Sequence, residues 1–170
     1  GFRIPGLSCT IQGGDTMRIS GVVAADDRDV GLALRTGAKA DHILLENLTI
    51  AGFHVALEVF HIHGCDCTFT MRNVTLIGDD EPEGFAYRQQ GFPGENGTVT
   101  GGLSLTLENV SIAKFKNGLQ LDGTEGALRL TIVTIACGAR GIELLLESFV
   151  ANGLTIDGCS EIALDLRSPP

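Results

Sequence analysis

At 170 residues, with 21 acidic side chains against 12 basic ones and a formal net charge of −9, the chain is long enough for one domain with its own core and is repelled by nucleic-acid phosphates and anionic membranes. Its 23 glycines, single Tyr and lack of Trp, within a 44% hydrophobic content rich in Ile, Val, Leu and Ala, point to short aliphatic strands joined by tight turns, not to a helical bundle. No apolar run reaches the roughly 18 residues of a membrane-spanning helix, and Gly1 is not an initiator Met, so the chain reads as a processed mature protein or an excised piece, with a removed signal peptide expected.

In chain order, residues 1–15 read as turn and strand and form an N-terminal edge segment. Alternating stretches follow at Met17 to Val23, Leu32 to Arg35 and Ile43 to Glu46. A short phrase then repeats: Asn47-Leu48-Thr49-Ile50, Asn73-Val74-Thr75-Leu76 and Asn109-Val110-Ser111-Ile112, with weaker copies starting at Ile132 and Gly153. The five starts are 26, 36, 23 and 21 residues apart. Each copy has a second alternating strand after it, at Val55 to Val59, Gly118 to Leu121, Gly141 to Leu144 and Ile162 to Leu166, and a third before it, at Thr68 to Arg72, Leu103 to Glu108 and Leu128 to Ile132.

Three strands and three bends per repeat describe one coil of a right-handed parallel β-helix, an all-β solenoid of about six coils in a single domain over residues 1–170. The side-chain period of two puts Leu57, Leu119, Ile142 and Leu164 inside and Glu58, Gln120, Glu143 and Asp165 outside. No segment has the 3.6 period that a doubly wound α/β fold requires; an antiparallel sandwich is the rival. The N-x-T-I phrases at coil spacing, each followed by Gly-x-x-Leu, resemble the repeats of pectin-lyase-like β-helices over residues 16–167. That resemblance implies an amide ladder formed by Asn47, Asn73 and Asn109, with Asn152 a slipped fourth rung. It carries a fold and no reaction.

The widest interval leaves surplus residues in the polar stretch from Asp79 to Gly101, which reads as one long inserted loop in place of a second strand. Phe85, Tyr87, Arg88, Gln89, Gln90 and Phe92 there combine aromatic faces with amides and a cation, and are the candidate glycan-binding set. The bland alternative is a self-packed loop.

Stacking the coils gathers a second group at the bend after the first strand: Asp26, Asp27, His54, Asp79, Asp80 and Lys114, joined by Asp29, Lys116 and Arg140. In an enzyme these would be the catalytic candidates, and Asp26, Asp27, Asp79 and Asp80 are weak Ca²⁺ candidates. The polygalacturonase motifs are not met: there is no Asn-Thr-Asp, Gly-His-Gly or Arg-Ile-Lys. His61, His63, Cys65 and Cys67 alternate as a zinc set would, but two cysteines one residue apart fit buried thiols and surface imidazoles better. Cys137 and Cys159 are one coil apart and could meet, as a bridge or as free thiols. Of four N-x-S/T sequons, three are ladder asparagines, which leaves Asn96 as the acceptor.

Neither end shows an amphipathic cap, which implies a neighbour at the open coils: another copy stacked head to tail, a lateral partner in an oligomer, or the rest of a longer chain. The expectation is therefore an extracellular structural or adhesive β-helix module that assembles with copies of itself and binds glycan. No cofactor is expected apart from Ca²⁺. The alternative is a polysaccharide lyase or glycoside hydrolase acting on an acidic polysaccharide at the Asp79/Asp80 edge.

Overall fold

The computed structural model describes residues 7–11, 16–36, 42–61, 67–80, 83–91, 103–122, 126–145 and 148–167, and among them the side chains of 30–34, 42–60, 67–80, 83–89, 103–121, 127–145 and 148–167. Nine strands make one sheet: β1 (Leu7–Ile11), β2 (Thr16–Thr36), β3 (His42–His61), β4 (Cys67–Gly78), β5 (Phe85–Gly91), β6 (Leu103–Asp122), β7 (Gly126–Leu145), β8 (Ser148–Asp157) and β9 (Ile162–Arg167). Every pairing is parallel, and the order is β1-β2-β3-β4-β6-β7-β8, with β5 between β3 and β6 and β9 on β7. This is a parallel β-solenoid, and the all-parallel pairing rules out the antiparallel sandwich.

The strands β2, β3, β6 and β7, of 20 or 21 residues, each go once around the solenoid and bend at two corners. The interior consists of columns in which each side chain stands on its counterpart in the next turn. Leu45, Met71, Leu107 and Leu130 form one, Ile50, Leu76, Ile112 and Ile135 a second, and Leu57, Tyr87, Leu119 and Ile142 a third. All twelve are at most 2% exposed. Parallel strands lie about 4.8 Å apart, so each layer packs on the next.

About four turns, residues 42–145, enclose this core, fewer than the six or so coils expected. The pass formed by β8 and β9 covers the fourth turn while its own inward residues Leu164 and Leu166 remain 41% and 49% exposed. The expectation that residues 79–101 replace a second strand is corrected: Phe85–Gly91 is that strand, with Val55 beside Phe85 and Phe85 beside Asn117. Its inward positions hold Tyr87 and Gln89 where other turns have aliphatic residues, which hid the alternation.

The corner between the third and first segments needs a left-handed residue in every turn. Asn47, Asn73, Asn109, Ile132 and Gly153 stand there with φ of 51°, 53°, 53°, 54° and 74°. Asn tolerates this region better than other residues with a Cβ. Its side chains also form the expected ladder: Asn109 Nδ2 donates to Asn73 Oδ1 at 2.9 Å, and Asn73 Nδ2 to Asn47 Oδ1 at 3.0 Å. The ladder amides are exposed, not buried, and bond to one another; Asn96 lies outside the described residues. Asn152 is no fourth rung, because it pairs with Thr131 and Gly153 takes the corner.

Beside the ladder, Arg72 joins Glu108 at 2.6 Å and Glu46 at 3.5 Å across three turns. Ile132 is the misfit, a β-branched residue 64% exposed in a left-handed conformation that costs about 1–2 kcal/mol. Ile132→Asn relieves the strain and adds a rung, so the urea midpoint should rise by the equivalent of about 1 kcal/mol at unchanged m-value. Asn73→Ala, which removes the central rung and leaves a strained Ala, should lower it by about 3 kcal/mol.

Candidate functional site

The corner between the first and second segments also takes left-handed residues, here Gly52, Asp80, Lys114 and Gly158, with φ of 78°, 65°, 63° and 77°. Two turns use glycine and two use charged residues at positions where glycine is the unstrained choice. The chain passes tightly there: a Cβ on Gly78 would stand 2.1 Å from the Lys114 carbonyl oxygen, and the Asp80 N–H donates to that same oxygen at 3.3 Å. Lys114 Nζ and Asp80 Oδ2 meet at 3.3 Å, both mostly exposed, so the pair contributes at most about 1 kcal/mol.

Asp80 and Lys114 line an open hollow of about 320 Å³ with Lys116, Gly138, Ser160 and Glu161. A second hollow of about 230 Å³ adjoins it, sharing Lys116 and Glu161 and adding Phe85, Asn117, Gln120 and Arg140. Ser160 Oγ donates to the Gly138 carbonyl at 2.8 Å, fixing one wall. Arg140 binds Glu161 at 3.0 Å and Glu143 at 3.5 Å, and the hydrogen bond it donates to Glu161 makes it hold its proton more tightly than usual. The acidic groups Asp80 and Glu161 are thus each tied to a cation, while the exposed Glu83 also lines the second hollow. Lys116 has no ion-pair partner among the described residues. The chemistry on offer is recognition of a polar, carboxylate-bearing ligand beside the half-buried ring of Phe85.

Of the residues expected at this edge, the structure brings Asp80, Lys114 and Lys116 to one hollow and Arg140 to the adjoining one. Asp79 is exposed next to Asp80, and His54 is half-buried on β3 at the same corner and does not line either hollow. The backbone of Asp26 and Asp27 falls in the register shift between Ala24 and Arg28, and their side chains, with those of Asp29, His61, His63 and Cys65, lie outside the described residues. Among the described residues no group of three or more His, Cys, Asp or Glu side chains is placed to hold a metal ion.

The glycan set is dispersed. Tyr87 is fully buried between Leu57 and Leu119, its ring 5.9 Å from that of Phe69 and its hydroxyl donating to Gln89 Oε1 at 3.4 Å. Burial pushes its pKa up. Gln89 is 3% exposed and equally out of reach. Arg88 stands 5.7 Å over Phe85 and 2.7 Å from Glu58, because Glu58, 8% exposed, requires a cation at that depth. The side chain of Gln90, and Phe92 altogether, lie outside the described residues. Among the described residues of this set, Phe85 alone lines either hollow, and its companions Glu83, Asn117, Gln120 and Glu161, with Ser160 in the first hollow, were not singled out as site residues in the sequence. Their signal was register: Phe85, Asn117 and Arg140 are lateral neighbours in three successive turns.

Arg88→Leu strips a cation from a nearly buried carboxylate and should destabilise the fold by about 3 kcal/mol in urea unfolding. Lys114→Gly exchanges a weak exposed pair for an unstrained corner and should leave stability unchanged or raise it by up to about 1 kcal/mol. The chain matches no family model, and no curated protein or solved structure is significantly similar to it.

Proposed function

We propose that this chain is a structural β-helix module of the pectin-lyase-like kind, located outside the cell or at its surface, that builds longer assemblies by stacking its open C-terminal turn on the edge of a second copy. The observation that carries this reading is the exposure of Leu164 and Leu166, which occupy interior columns yet have no layer above them among the described residues. Among the described residues β8 ends the strand order and β9 pairs with β7 alone, so the last described turn presents an apolar cross-section beside strand edges that no described strand pairs, a template for one more parallel layer. The groove formed by the two hollows serves the adhesive side of the same role, holding a glycan that carries carboxylates.

Leu164→Lys with Leu166→Lys tests the assembly, lysine being the residue with which exposed strand edges are ordinarily blunted. Light scattering over a range of concentrations should show oligomers or filaments for the parent chain and monomers for the double variant. A parent chain that stays monomeric at every concentration sinks the reading.

One observation favours an enzymatic second reading, a polysaccharide lyase or hydrolase of acidic glycans: the strained left-handed backbone at both Asp80 and Lys114, of the kind that clusters at active sites. Cleavage of a uronan by the parent chain and its loss in Asp80→Asn would establish it.

A further inference from the structure

Cys137 and Cys159 occupy the same corner in the last two turns, with their sulfurs 3.2 Å apart and unbonded. Cys137 is buried and donates to the Arg140 carbonyl at 3.1 Å, while Cys159 is half-exposed. Between them runs the chain segment that contains all of β8, the pass that closes the solenoid at its open end. Gly158, next to Cys159, has a φ of 77°, a conformation open to glycine in both directions, so the Cys159 backbone can move the short distance that a sulfur–sulfur bond requires.

We infer that Cys137 and Cys159 form a reversible disulfide staple that fastens the terminal turn to the turn beneath it. The partner is a small-molecule disulfide. The Cys159 thiolate attacks one of its sulfurs, which breaks that S–S bond, releases one small thiol and leaves a mixed disulfide on Cys159. The Cys137 thiolate then attacks Cys159 Sγ and expels the second small thiol. Two protons leave the cysteines and end on the two thiols released; the protein pair is oxidised and the small disulfide reduced.

The environments assign this order. Cys159 is the sulfur that solvent reaches. Cys137 is held protonated, its pKa pushed up to about 12 by burial and then by its hydrogen bond and charge interaction with Cys159. The second and third of those causes vanish once Cys159 is in mixed disulfide, which makes Cys137 easier to deprotonate although its burial remains. Because each turn contacts only its neighbours, the staple acts on β8 and β9 and leaves the enclosed turns unaffected. The inference does not depend on assembly through the open end.

The experiment is carried out on the full chain, at concentrations where it is monomeric or dispersed, after incubation with oxidised glutathione and then with dithiothreitol. Peptide mapping without reduction should show a Cys137–Cys159 cross-link that dithiothreitol removes. Amide exchange over residues 148–167 should slow by at least about tenfold on oxidation and be unaffected by the same treatment in Cys159→Ser. A chain that accumulates other cross-links or none, or whose terminal amides exchange at the same rate with the bond formed, overturns the inference. Failure of Leu164 and Leu166 to mediate assembly leaves these readouts untouched, so the two ideas fail separately.

Discussion

Everything in this molecule depends on parallel stacking in register. Once one turn places an aliphatic side chain inward, the next must place a side chain of similar reach about 4.8 Å away, and the backbone hydrogen bonds hold only if both turns bend at the same residue. Interior, corners and outer face are then set by a single alignment of turn on turn. The columns through Ile50 and Leu57 follow from it, and so does the position of each corner where the chain goes left-handed.

The corners are where this geometry conflicts with side-chain chemistry. At one corner three asparagines resolve the conflict by accepting the left-handed backbone and bonding to each other, and Ile132 leaves it unresolved. At the other, two glycines resolve it while Asp80 and Lys114 do not. Strain therefore falls on residues with different consequences. Ile132 gives nothing visible in return, whereas Asp80 and Lys114 bring opposite charges to the mouth of the 320 Å³ hollow. Strain that comes with a charged pair at a groove is better evidence of use than strain on an exposed hydrocarbon.

The fold was legible because it is periodic. Period-two alternation and the Asn-led phrase fixed the strand positions and the amide ladder, since a backbone requirement at the corner selects the residue type directly. β5 was not legible, because Tyr87 and Gln89 look like surface residues in sequence while the turn buries them both against Phe69 and each other. The same mistake made Arg88 a glycan contact, when depth had already committed it to Glu58. The hollows were half legible: placing Asp80 over Lys114 needed only the repeat spacing. Ser160 and Glu161 come from a turn whose corner begins with Gly158 and carries no distinctive motif.

The asparagine ladder has a direction. Asn109 donates to Asn73 and Asn73 to Asn47, each toward the N-terminal turn, so the three amides align along the solenoid axis and polarise one another. The next corner residue, Ile132, has no polar hydrogen to offer Asn109. The alignment gives the rod a head and a tail at the level of single bonds, in agreement with its all-parallel strands. Two such rods meeting head to head would oppose both their strand directions and their amide dipoles, while head to tail continues both. A contact of that kind uses a different surface on each partner and is never satisfied by two molecules, so its natural product is an open polymer instead of a closed pair.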